Sequence, residues 1–113
     1  MKLIMATTRR VPLNLHALDD ISPVHPGEIL LEEFLRPLGM STYAAAKRMG
    51  VPNTRVHEII RERRSVTADT AIRLGVVFGT TPDYWLGLQM TFDLRTARVD
   101  TSGLRPVQNV GSS

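Results

Sequence analysis

The most constraining feature of this sequence is a stretch of twenty residues, Thr42 to Arg61, with the spacing of two short helices joined by a tight turn. A small residue, Ala46, stands where the two helices would cross closely. Gly50 supplies the positive φ with which a chain leaves a helix and turns sharply. Val56 and Ile59 fit the inner side of the second helix. The pattern predicts a helix-turn-helix, whose second helix has the right size to enter the DNA major groove.

The rest of the chain predicts three further helices and no strand. N-cap residues, prolines in first turns and glycines at the ends mark their bounds. The expected bounds are Pro26 to Pro37 and Gly39 for the first helix, Thr67 to Gly79 for the fourth, and Pro82 into the nineties for the fifth. The second and third helices are expected at about 42–49 and 53–61, with Ser41 as the N-cap of the second.

The predicted fold is therefore all-α, a compact five-helix domain with two loose ends. Residues 1–24 show no helical period and are expected to form an extended or disordered arm. The domain is expected to span 25–98, and 99–113 to form a flexible tail rich in Ser, Gly and Pro. In the fourth helix the residues expected to face inward are Ala71, Ile72, Leu74, Val76 or Val77, and Phe78.

Composition excludes several classes of protein. At 113 residues, 42% hydrophobic and 22% charged, the chain fits one ordinary globular domain. Cysteine is absent, so the sequence has no disulfides and no thiolate metal site. No apolar run approaches the roughly 18–20 residues of a membrane span, and no signal-peptide core follows the amino terminus. We therefore expect a cytoplasmic protein.

Basic residues are concentrated in and just after the helix-turn-helix. Between Lys47 and Arg73 the chain has seven basic residues against three acidic ones, although its net charge is only +3. A solvated arginine-rich face is the simplest reading of such a cluster. Because it coincides with the motif, we read it as the place where DNA phosphates lie.

The outward side of the third helix predicts which residues read bases. A helical wheel centred on Val56 places Thr54, His57 and Glu58 on that side, with Asn53 at its leading edge. Asn53 can pair with adenine, Thr54 can contact a thymine methyl, and Glu58 can accept from cytosine.

A second group is expected to contact the backbone of the DNA. Basic side chains near the motif fix the register of a protein on DNA without reading sequence. This group comprises Lys47, Arg48, Arg55 and Arg61, joined by the hydroxyl and N–H of Thr42 at the start of the second helix.

The fifth helix has too many apolar residues for one buried stripe. Trp85, Leu88 and Phe92 are the residues that we assign to a two-fold dimer interface. The alternative is a helix covered entirely by its own domain, and in either case Trp85 fits an ordinary core residue.

The sequence offers little for catalysis or metal binding. His16, His25 and His57 are scattered, and no HExxH, GxSxG, GxGxxG or Walker pattern occurs. Glu32 and Glu33 are adjacent and diverge on a helix. We expect no enzyme, no catalytic residues, no metal and no cofactor.

Three stretches carry a family resemblance: HPGEIL at the start of the domain, TADTAIRLG in the fourth helix and WLGLQ in the fifth. Together with the helix-turn-helix, they resemble the HigA (VapI-like) antitoxins, a branch of the XRE, lambda-repressor-like family. The resemblance covers about residues 25–98. It implies a dimeric repressor that binds palindromic operator DNA, and an antitoxin that neutralises a HigB toxin, a RelE-like mRNA endonuclease.

Carried over by position, the family's DNA face corresponds to Thr42, Asn53, Thr54, Arg55 and Glu58. One departure is Pro52, where the family often has Ser or Thr, because proline offers no capping oxygen and no hydroxyl to a phosphate. Two other functions stay open: a stand-alone repressor without a toxin, and a protein-interaction module in which the motif is only a helical corner.

Overall fold

Five helices and no strand make up residues 22–108, which are the residues that the computed structural model describes. Helix α1 combines an α-helical turn, a π-helical segment and a final turn. The bounds are Pro26–Ile29, Leu30–Leu35 and Arg36–Leu38 for α1, Thr42–Met49 for α2, Asn53–Ile60 for α3, Ala68–Phe78 for α4 and Pro82–Thr96 for α5. The predicted five-helix, all-α fold is confirmed.

The start of α1 explains the HPGEIL stretch. His25 is the N-cap, and its Nδ1 accepts a hydrogen bond from the N–H of Gly27 at 2.9 Å. Pro26 occupies the first turn, where a missing N–H costs nothing. Gly27 packs against the backbone of Ile59 so closely that a β-carbon there would overlap the Ile59 carbonyl oxygen. The small residue therefore lets α1 rest directly on the end of α3.

The middle of α1 departs from the regular helix that the sequence predicts. Leu30–Leu35 is π-helical, and the N–H of Arg36 donates to the carbonyl of Leu31, five residues earlier. Pro37 does not end the helix; it lies within the last turn, and the chain leaves at Gly39 with φ of 63°. A widened turn suits this position, because proline lacks an N–H and its ring crowds the carbonyl four residues back.

The core gathers around Trp85, whose side chain has no exposed surface. Its ring packs against Phe34 at 5.3 Å and Tyr84 at 5.1 Å between centroids. Its Nε1 donates to the Thr80 hydroxyl at 2.6 Å, which satisfies the one polar atom of the indole. The other large and fully buried apolar side chains are Leu30, Leu35, Val56, Ile59 and Leu74.

A buried amide connects α5 to the segment between α3 and α4. Gln89 Oε1 accepts the N–H of Val66 at 2.7 Å, and Gln89 Nε2 donates to Asp93 at 2.9 Å. Both residues of the first bond are nearly inaccessible. The glutamine of the WLGLQ stretch thus holds the chain that follows α3.

Helix α4 presents most of the predicted face to the core, since Val77, one of the two valines offered, and Phe78 pack against it. Ala71 and Leu74 are buried as expected, but Ile72 is 54% exposed and Val76 is 82% exposed. The buried stripe runs through Thr70 and Leu74, and residues 72 and 76 lie on the opposite side. Because Ile72 and Val76 are apolar on the solvent side as well, the sequence pattern does not define the buried stripe sharply.

The N-cap residues are the predicted ones, although one of them makes no capping hydrogen bond. Ser41 accepts the N–H of Ala44 at 3.0 Å, and Thr81 accepts that of Tyr84 at 3.2 Å. Thr67 precedes α4 as predicted, but its side chain makes no capping hydrogen bond.

The ends of the chain add no helix within the described residues. From 97 to 108 the chain is exposed and has a local turn, in which the Asp100 carboxylate accepts the N–H of Ser102 at 3.0 Å. The predicted arm, residues 1–24, lies outside the described residues except for its last three. The division into arm, domain and tail stays a prediction.

Candidate nucleic-acid interface

The turn of the predicted motif has a left-handed residue where the sequence requires one. Helix α2 ends at Gly50 with φ of 72°, and its N–H bonds to the carbonyls of Ala46 and Lys47. Val51 N–H also donates to the Ala46 carbonyl, at 3.1 Å. The chain then enters α3 through Pro52, whose extended backbone is the N-cap but supplies no side-chain bond. Proline therefore fixes the turn through its φ alone, as its sequence position indicates.

The two helices bury their inner sides against each other. Ala45, Ala46 and Met49 of α2 and Val56 and Ile59 of α3 are all at most 3% exposed. Because the small alanines line the crossing, α3 is held close to α2 while its opposite side faces solvent.

The predicted base readers lie on that outer side. Asn53, Thr54 and His57 are exposed, and Glu58 is half-buried. Asn53 is the first residue of α3, so it leads the helix end that would enter a groove. The wheel drawn from the sequence and the structure agree on this orientation.

Glu58 already has a partner. Its Oε1 accepts from Nε of Arg64 at 2.9 Å, and both side chains are about half exposed. Because a carboxylate has two oxygens, Oε2 of Glu58 can still accept from a cytosine while Oε1 keeps Arg64. His57 and Arg61 also approach each other, with Nε2 and Nη1 3.5 Å apart.

The predicted phosphate contacts surround the same helix. Lys47 and Arg48 are exposed near the end of α2, and Arg61 is exposed just after α3. Thr42 is the half-buried first residue of α2. Arg55 is held differently, because its Nη1 lies 3.1 Å from Oδ1 of Asp69 on α4.

Sequence reasoning missed the part that α4 plays in this interface. Arg73 donates through Nε to Oδ1 of Asp69 at 2.8 Å and through Nη1 to the carbonyl of Met49 at 2.9 Å. The hydrogen bond from Arg73 is the main reason why the pKa of Asp69 is lowered. The spacing of Asp69 and Arg73, four residues apart on one helix, was the available signal for their pairing.

The three residues assigned to a dimer interface are not equally available. Trp85 has no exposed surface, so its assignment to the interface is wrong; it is a core residue, because α1 and Tyr84 already cover its ring. Leu88 and Phe92 are half-buried, and the Phe92 ring meets His25 edge-on at 4.8 Å. The most exposed aliphatic side chains of α5 are Met90, at 59%, and Leu94, at 72%.

Neither a metal cluster nor a membrane helix occurs in the part of the chain that the structure describes. Residues 22–108 contain no group of three His, Asp or Glu side chains close enough to hold an ion. None of the five helices is both long and apolar enough to cross a bilayer.

Comparison with known proteins finds a family profile and relatives that match most of the helical domain. The helix-turn-helix family profile matches residues 31–85. Virulence-associated protein I of Dichelobacter nodosus is 44% identical over 86 residues, which cover 76% of this chain and 80% of that protein. Antitoxin HigA-1 of Vibrio cholerae is 41% identical over 76 residues, covering 67% and 71%.

The fold is also similar to solved structures. Antitoxin GraA in complex with its operator superposes with a TM-score of 0.68 at 46% identity, covering 77% of this chain and 94% of that one. At this identity the similarity extends beyond the fold to the sequence.

Proposed function

This chain belongs to the HigA (VapI-like) antitoxins of the XRE helix-turn-helix family, and from that premise we propose that it binds its own operator DNA and neutralises a toxin protein. The two activities rest on different observations. The operator proposal rests on geometry and family together, whereas the toxin proposal rests on family alone.

The single observation that supports operator binding best is the uncovered outer side of α3. Val56 and Ile59 fix the helix from within, and Asn53 and Thr54 remain exposed at its leading end. Asparagine and threonine at that end match the donor and acceptor pattern of base edges in the major groove. The relative that is known as GraA is described in complex with its operator, which supports the same use of the motif here.

We propose that the operator-bound form is a homodimer made through α5. Met90 and Leu94 are four residues apart, so they share one side of the helix, and both are exposed within the single chain. A two-fold dimer would place two α3 helices against half-sites about one helical turn of DNA apart. Such a dimer would read a palindromic operator in the cytoplasm.

The proposed toxin partner is a HigB/RelE-like endonuclease, as the family implies. The name of the Vibrio cholerae relative, antitoxin HigA-1, supports an antitoxin role for this chain. No residue of the described structure is assigned to toxin contact. The alternative is a stand-alone repressor, which would share the DNA face and lack the toxin.

A binding titration tests the operator half. A labelled duplex from directly upstream of the gene is compared with a scrambled duplex of equal composition, each at several salt concentrations. We expect tighter binding to the upstream DNA and affinity for both duplexes that falls as salt rises. Equal affinity for both duplexes would count against sequence-specific repression.

Co-expression tests the toxin half separately. A small basic protein encoded beside this gene is expressed with and without the chain, and growth and messenger RNA integrity are followed. Growth arrest that the chain relieves supports the antitoxin. If upstream DNA is bound specifically but arrest is not relieved, the stand-alone repressor is the better description.

A further inference from the structure

Three side chains connect both helices of the motif to α4. Arg55 of α3 and Arg73 of α4 both contact Oδ1 of Asp69, at 3.1 and 2.8 Å. Arg73 continues the connection to the end of α2, where Nη1 donates to the carbonyls of Met49 at 2.9 Å and Gly50 at 3.4 Å. We call Arg55, Asp69 and Arg73 the Asp69 bridge.

The Arg73 end of the bridge fits the turn at Gly50 closely. A β-carbon on Gly50 would lie 3.2 Å from Arg73 Nη1, so the guanidinium lies directly over the residue that ends α2. The last carbonyls of a helix lack intrahelical partners and carry partial negative charge. A guanidinium is therefore favoured there, and its fixed fork presents Nε to Asp69 at the same time.

The Arg55 end of the bridge lies on α3, the helix that has the predicted DNA face. Arg55 is the third residue of α3, and its side chain is only 30% exposed. A guanidinium has five N–H donors, and Asp69 uses one of them. Within residues 22–108 the other donors have no hydrogen-bond partner, so they can donate to a phosphate from a side chain whose position is already restricted.

We propose that Asp69 is a positioning residue for operator binding, because it holds the Arg55 guanidinium ready for a backbone phosphate. This inference rests on the proposed operator function. A side chain ordered before binding loses less entropy when the complex forms. Asp69 itself need not touch DNA.

The direction in which one substitution changes operator affinity distinguishes a positioning role from a simple effect of charge. Asp69 is an exposed acidic residue, and removal of an acidic residue near DNA alone favours binding to every sequence. If Asp69 positions Arg55, Asp69→Asn instead weakens operator binding, by roughly 3- to 10-fold, which is the range for one side chain freed from restraint. Operator binding that is unchanged or tighter in Asp69→Asn would overturn the inference.

Asp83→Asn is the matched control. Asp83 is the second residue of α5 as Asp69 is the second residue of α4, so both substitutions remove one charge from a helix start. Asp83 forms no ion pair with any residue from 22 to 108. We expect Asp83→Asn to leave operator binding equal or slightly tighter, and thermal unfolding to confirm that both variants are folded.

A double-mutant cycle shows whether Asp69 acts through Arg55. In an Arg55→Gln background, Asp69→Asn should have no further weakening effect on operator binding, since the side chain that it positions is absent. An equal loss in both backgrounds would mean that Asp69 acts through the fold, and would overturn the positioning role. If the unaltered protein itself does not prefer its upstream DNA, the proposed function fails and the inference fails with it.

Discussion

The α-carbon of Gly27 lies against the carbonyl oxygen of Ile59, with no room for a methyl group between them. This contact joins the first turn of α1 to the last turn of α3. The helix that carries the predicted base readers is therefore supported at its far end by a residue that sequence reasoning placed only in a helix start.

Replacing Gly27 with alanine should destabilise the fold. The added methyl group would force α1 away from α3, and overpacking of this kind costs about 1–3 kcal/mol in free energy of unfolding. Urea denaturation of the purified variant measures the loss. Gly87→Ala is the control, because a β-carbon at Gly87 meets no atom of residues 22–108 within 4 Å apart from its own stretch of helix, and alanine favours the helix by about 0.5–1 kcal/mol. Equal effects of the two substitutions would contradict the close contact at Gly27.

The stability of the domain should depend on the protonation of His25. Burial lowers the pKa of His25, although the carboxylates of Glu62 and Asp93 act in the opposite direction. The neutral ring also supplies the Nδ1 lone pair that accepts the Gly27 N–H. Between the folded pKa and the ordinary value of 6.5, the unfolded chain binds more protons than the folded chain. The His25 contribution is thus complete above that value and is lost as pH falls through it toward the folded pKa.

Urea unfolding from pH 8 to pH 5 measures this dependence. His25→Asn is the comparison, since asparagine keeps an N-cap acceptor and does not titrate. As pH falls, the unfolding free energy of the original protein should decrease more than that of His25→Asn. A constant difference across the range would exclude His25 as the titrating group.

Substitutions on α3 and α2 should affect DNA binding in two distinct ways. Asn53→Ala should reduce discrimination at one base pair of each half-site by about 1–3 kcal/mol, because a contact to a base edge is lost. Lys47→Ala should weaken binding to all sequences alike and lower the salt slope by roughly one unit. Titrations against operator duplexes with single base changes separate these effects. If the two patterns are exchanged, the orientation of α3 on DNA is different from the one proposed.

The proposed dimer should separate when the exposed side of α5 is charged. Leu94→Glu would place a carboxylate at the centre of an apolar contact, so light scattering after gel filtration should shift from dimer to monomer mass. Val76→Glu makes the same change on α4, at a residue that is 82% exposed. Loss of the dimer in Val76→Glu but not in Leu94→Glu would move the interface from α5 to α4.

Much of the fold was predictable because its helix ends are determined locally. Ser41, Gly50 and Thr81 mark their boundaries through their own side chains or backbone angles, whatever the rest of the chain does. The π-helical segment of α1 was not predicted, because Pro37 was interpreted as the end of the helix and not as the cause of a widened turn before it. The inward placement of Ile72 was wrong because α4 has apolar residues on its solvent side too, and only packing shows which of them are buried.

Some residues of the candidate site could also be predicted from the sequence, and others could not. The outward position of Asn53 follows from helical periodicity around Val56, so a wheel was enough to find it. The partner of Arg55 did not follow, because Asp69 is 14 residues away and on another helix. Trp85 was misassigned because a count of apolar residues shows that two faces are apolar, and does not show which residue belongs to which face.

The bond between Gln89 and Val66 has a consequence for which operators can be read. Through it, the proposed dimer helix α5 is anchored directly to the segment that follows α3, with no long loop between them to absorb displacement. In the proposed dimer the two α3 helices would keep a nearly constant separation. One additional base pair between half-sites moves the second about 3.4 Å along the DNA and turns it by roughly a tenth of a helical turn. Operators with altered spacers should therefore be bound poorly even when both half-sites are intact.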